Sequence, residues 1–144
     1  MDLLAELDAR VRALSADACR SGVQSAVRHI QVAERYLERG RGEQDEDAFN
    51  DVVYRTNQAF EGMLKEAYSV IRGQDPGKKS PHQIEEYFSA GKHLTDRVRG
   101  LLANYRKEWR NPSTHDHTLL FNDQEAVLAI VSVSAFAIVL LDQI

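Results

Sequence analysis

From Ala126 to Leu141 the chain carries sixteen consecutive residues without a charge, polar only at Ser132 and Ser134 and closed by Glu125 and Asp142. A segment of this kind must either cross a bilayer or lie against other protein. A crossing needs roughly 18–20 apolar residues, and this run is shorter. A helix that is apolar all round belongs at a core or an interface. The run therefore predicts a central or interfacial helix and no membrane span.

The remainder of the chain has the matching helical period. Leu3, Leu4, Leu7, Val11 and Leu14 recur at steps of three and four, and Val23, Val27, Ile30 and Leu37 do the same. They predict a first helix, interrupted or bent at Ser15-Ala16-Asp17, and a second from about Ser21 to Glu38 stopped by Gly40-Arg41-Gly42. Phe49, Val53, Phe60, Leu64, Ala67 and Ile71 predict a long third helix from about Asp45 to Arg72, with an acidic start suited to a helix N-terminus. A loop of two glycines and a proline follows, then a helix start in which Ser80 caps, Pro81 takes the first position and Gln83 closes a capping box. That short helix ends near Gly91. A fifth helix is lined by Leu94, Val98, Leu101, Leu102, Tyr105 and Trp109. It should end at about Arg110, because Asn111 precedes a proline. Asn122 and Glu125 form a second capping box before the last helix. The expectation is an all-α bundle of five or six helices in a single domain, 1–144. Because the apolar helix runs to Ile144 with no polar tail, the chain reads either as the N-terminal part of something longer or as a natural end inside a dimer.

A net charge of −4 excludes an unspecific pull on nucleic acid, so any RNA contact must come from a local patch. The lone Cys19 excludes an internal disulfide, and the N-terminus lacks the pattern of a signal peptide; both fit a cytoplasmic protein. Arg97, Arg99, Arg106, Lys107 and Arg110 make a basic strip along the fifth helix, diluted by Asp96 and Glu108, with Lys78 and Lys79 nearby in the loop. The strip either guides an RNA backbone or is ordinary helix-surface charge.

The chemistry concentrates in Arg110-Asn111-Pro112-Ser113-Thr114-His115-Asp116-His117, the polar break before the last helix. Arg110 is the only arginine with a histidine five to seven residues later. Cleaving an RNA phosphodiester without metal requires taking a proton from the 2′-hydroxyl and giving one to the departing 5′-oxygen. Histidine does both near neutral pH. Guanidinium stabilises the charge on the five-coordinate phosphorus. The plain alternative is an arginine that complements the helix dipole beside a solvated turn, in a helical interaction module. Glu61 lies on the third helix beside its core face; it either pairs with Arg110 and fixes its orientation or is an ordinary exposed helical carboxylate, the default for such a position. His115-Asp116-His117 could offer ligands to a metal, but no further Cys or His with suitable spacing accompanies it, so no metal or cofactor is assigned. His29, His82 and His93 read as surface residues. Tyr105 and Trp109 read as core or interface anchors, with base stacking by Trp109 as the alternative.

An all-α bundle with this motif just before its last helix resembles the HEPN superfamily. That signature is an arginine, four to six residues starting with a polar one (often asparagine), then a histidine, and Arg110 through His115 fit it. The resemblance implies a metal-independent endoribonuclease acting on single-stranded RNA. Its composite site would form in a homodimer that meets through the last helix and the motif face. Arg110 and His115 would be catalytic, and Asn111 would orient or polarise the site. Beside the resemblance, His117, Arg106 and Lys107 are the candidates for substrate contact, His117 by sharing proton transfer or binding phosphate, with a solvated loop histidine as its ordinary reading. Many such proteins are toxins or anti-phage effectors, which leaves room for a sensor or antitoxin partner. Some carry a tyrosine two residues past the histidine that is modified with AMP; here that place holds His117, which argues against that control.

Overall fold

The computed structural model describes residues 2–14, 20–112 and 118–144. It is all-α: α1 (Leu3–Ala13), α2 (Arg20–Gly42), α3 (Asp47–Arg72), α4 (Pro81–Ala90), α5 (Asp96–Tyr105) and α6 (Asp123–Leu141), with no strand among the described residues. A π-helical turn, Arg106–Arg110, prolongs α5.

α3 is the spine. Its buried residues include Phe49, Val52, Val53, Thr56, Phe60, Met63 and Leu64, so it packs on more than one side. α2 runs antiparallel along it: a Cβ on Gly40 would lie 2.6 Å from the Phe49 ring, one on Gly62 would touch Ala26 at 3.4 Å, and Gly22 sits under Glu66. α6 lies across α2 and α3, with α1 against it, while α4 and the π turn also pack on α3. Burying each large apolar side chain along these contacts contributes about 1.5–3 kcal/mol.

The helix ends bear out both capping boxes. The Gln83 N–H donates to Ser80 Oγ at 3.3 Å and the Ser80 N–H to Gln83 Oε1 at 2.8 Å. The Glu125 N–H donates to Asn122 Oδ1 at 2.9 Å and the Asn122 N–H to Glu125 Oε1 at 3.2 Å. Gly73, at φ +72°, closes α3 in the left-handed conformation that glycine adopts without steric cost.

Two expected boundaries are corrected. α2 does not stop at Gly40 but runs through Gly42. Gly40 is there because the Phe49 ring rests on it, and Arg41 beyond it forks onto Asp123 at 2.6 and 2.7 Å, tying α2 to the start of α6. Nor does helical backbone end at Arg110. Asn111 keeps φ −66° and ψ −47°, and the helix continues into Pro112. A regular α turn would press the proline ring against the carbonyl four residues back. The turn here is opened by one residue, with the Asn111 N–H bonding the Arg106 carbonyl.

α6 is longer than the uncharged run. At 19 residues and mean hydropathy 2.1 it meets the length and composition of a membrane-crossing helix. Here one side is packed into the bundle, with Ala126, Ala129, Ile130, Val133, Ser134, Ala137, Leu140 and Leu141 buried. Leu128, 55 % exposed, and Val131, 45 % exposed, lie on its outer side.

Candidate functional site

Three neighbouring side chains fix the end of the fifth helix before the polar break. Tyr105 is fully buried, and its hydroxyl lies 2.8 Å from Asn57 Oδ1 and 3.0 Å from Thr56 Oγ1, both on α3. Burial pushes the phenol far above its ordinary pKa, so it stays protonated and keeps donating. Arg106 donates from Nε to Glu85 Oε2 of α4 at 3.0 Å. Arg110 donates from Nε to Glu61 Oε1 of α3 at 2.6 Å, and its Nη1 donates to Asn111 Oδ1 at 3.0 Å.

The π turn explains how Tyr105 and Arg110 both reach α3. At roughly 100° per residue, a regular α-helix would set Arg110 about 140° around the axis from Tyr105. Opening the turn by about one residue reduces that angle to roughly 50°. The wide turn therefore swings Arg110 onto the α3 side, where Glu61 receives it.

The chain re-enters the bundle just past the break under equally firm control. Asn50 of α3 donates from Nδ2 to the Leu119 carbonyl at 3.1 Å and accepts the Phe121 N–H at 2.7 Å. The Trp109 and Phe121 rings pack 5.8 Å apart, joining the two sides of the break. Both ends of the motif segment are thus pinned to the same scaffold.

Of the residues the sequence singled out, Arg110 and Asn111 come together, and Glu61 pairs with Arg110, the less ordinary of its two readings. His115 and His117 lie outside the described residues, as does the His115-Asp116-His117 metal candidate. Among the described residues no three His, Cys, Asp or Glu side chains gather as a metal would require. Lys107, Arg97 and Arg99 are exposed. Arg106 is half-buried, its side chain 13 % exposed and donating from Nε to Glu85. His82 is exposed and 2.9 Å from Glu86. His93 is half-buried against Tyr87, and His29 accepts from Arg55 Nη1 at 3.0 Å; burial, with the charge of Arg55 beside it, holds the His29 pKa below the ordinary value.

The sequence reading missed Glu85, which is 2 % exposed. The signal was present: Pro81, Ile84 and Phe88 mark the buried stripe of α4, and position 85 falls on it at helical spacing. Burial raises the Glu85 pKa, opposed by the charge and hydrogen bond of Arg106 and by His82 and Arg99 nearby. Its second oxygen, Oε1, is buried without a hydrogen-bond partner among the described residues.

No protein-family model matches the sequence, and neither a curated protein nor a solved structure matches the chain.

Proposed function

We propose that this domain is a metal-independent endoribonuclease of the HEPN type, cleaving single-stranded RNA as a homodimer, in the manner of a toxin or anti-phage effector. The observation that carries the reading is the clamped guanidinium: Arg110 is held by Glu61 at 2.6 Å and by Asn111 at 3.0 Å at the edge of the polar break. A pre-oriented guanidinium can meet the charge that develops on phosphorus without reorganising. π-helical turns are frequent at functional sites, and one sets the direction of this arginine. In this reading Arg110 neutralises the phosphorane, Asn111 orients the guanidinium, and His115 moves the proton between the 2′-hydroxyl and the 5′-oxygen. Leu128 and Val131 on the outer side of α6 supply the apolar face for a second copy. Exposed Lys107, Arg97 and Arg99 draw in the RNA backbone.

The same apolar face favours a second reading, an assembly module in which the motif only closes a turn. Labelled single-stranded RNA in excess EDTA separates the two, using wild type and folded Arg110→Ala and His115→Ala variants. Cleavage by wild type alone, leaving 2′,3′-cyclic phosphate or 3′-phosphate ends, is the expected result. No cleavage by dimeric wild type, or equal cleavage by all three proteins, overturns it.

A further inference from the structure

Arg106 and Glu85 form the most buried ion pair among the described residues, with side chains 13 % and 3 % exposed. Such a pair is a poor source of stability, because removing two charges from water costs about as much as their attraction returns. The cost is visible here, since Glu85 Oε1 is buried with no hydrogen-bond partner among the described residues. What the pair does achieve is positional. It joins α4 to Arg106, the residue at which the hydrogen bonding of the fifth helix widens, and whose carbonyl accepts the five-residue bond from Asn111. On one side of Arg106, Tyr105 is fixed to α3; four residues on, Arg110 is fixed to Glu61.

We infer that Glu85 is a positioning residue: by holding Arg106 against α4 it fixes the start of the wide turn and so aims Arg110 at Glu61. Without that hold, the start of the turn is fixed from the α3 side alone, through Tyr105, and Arg110 swings off Glu61. The functional weight of this device rests on the ribonuclease reading; the geometric claim does not.

The test is nitrogen-15 NMR of the whole chain, following the Arg110 Nε–H signal, which is identified by its loss in Arg110→Lys. In wild type the signal is shifted downfield and exchanges slowly, because the proton is held by Glu61. Glu85→Gln, which keeps an oxygen for Arg106 Nε, retains it. Glu85→Leu loses it while its helical circular dichroism and remaining amide spectrum stay native. Should Glu85→Leu fail to fold, the double variant Glu85→Leu/Arg106→Met replaces the pair with apolar groups, and the same loss is expected. An unchanged Arg110 signal in a folded variant without the pair overturns the inference. Cleavage assays on the same proteins read the consequence separately: a drop in kcat of at least tenfold, with KM within threefold, is expected for Glu85→Leu and not for Glu85→Gln. If wild type cleaves no RNA, the ribonuclease reading fails, and the Arg110 signal still decides the role of Glu85.

Discussion

Glu61→Ala separates what the clamp does for folding from what it does for chemistry. The Arg110–Glu61 contact is short, 2.6 Å, but its side chains are 24 % and 31 % exposed, so water screens much of the attraction. Pairs of that kind contribute about 0.2–1 kcal/mol to stability. For a chain of this size each kcal/mol moves Tm by about 2–4 °C. The variant should therefore melt no more than a few degrees below wild type. Its effect on cleavage should be far larger. A guanidinium released from Glu61 keeps only Asn111 and its other neighbours as guides, and a misplacement of about 1 Å at a reacting centre costs roughly 100-fold in rate. That loss corresponds to about 2.7 kcal/mol of transition-state stabilisation. The assay is single-turnover cleavage of labelled RNA in EDTA, beside thermal unfolding of the same preparations. Glu61→Gln, which retains an acceptor for Nε, should fall between the two. A Glu61→Ala protein that is folded and cleaves within threefold of wild type would refute the clamp as a functional device. A loss of stability as large as the loss of rate would refute the separation.

Tyr105→Phe deletes a buried hydroxyl and takes a hydrogen-bond partner from Asn57 and Thr56, which should cost about 1–3 kcal/mol and lower Tm by several degrees; an unchanged Tm in thermal unfolding would show that the hydroxyl anchors nothing. If two copies meet on the outer side of α6, wild type sediments as a dimer at micromolar concentration and Leu128→Glu/Val131→Glu as a monomer. Monomeric wild type would remove the basis for a composite site. The Glu85 carboxyl has its pKa raised above the ordinary 4.5 by burial, so the native state holds that proton more tightly than the unfolded chain. Its contribution to stability is fully present below about pH 4.5 and is lost as pH rises through the folded value. The unfolding free energy of wild type minus that of Glu85→Gln should therefore fall across that window in urea titrations; a rise would contradict the buried placement.

Much of the framework was legible from local rules. Ser80 with Gln83 and Asn122 with Glu125 are capping boxes because hydroxyl and amide oxygens satisfy free N–H groups within four residues, which neighbouring positions alone decide. The period of Phe49, Val53, Phe60 and Leu64 fixed α3 for the same reason. Gly40 misled because glycine has two uses, ending a helix or admitting a neighbour, and only the position of the Phe49 ring selects the second. Pro112 misled because its effect on the preceding residue is a local steric preference, and the packing of Tyr105 and Arg110 on α3 outweighs it at Asn111.

By itself, then, the sequence determined the helices, both capping boxes and the candidate site residues: Arg110 near the end of the fifth helix, Asn111 beside it, and Glu61 on a face that could reach them. Those follow from spacing along the chain. Only the tertiary structure decided which carboxylate receives each guanidinium. Arg106 and Arg110 lie on the same helix end with the same chemistry, yet one is turned into α4 by Glu85 and the other is held at the polar break by Glu61. The difference rests on a turn widened by one residue between helices distant in sequence. No periodicity encodes it, because it involves contacts of Tyr105 with α3 and of Arg106 with Glu85 on α4, residues far apart in the chain.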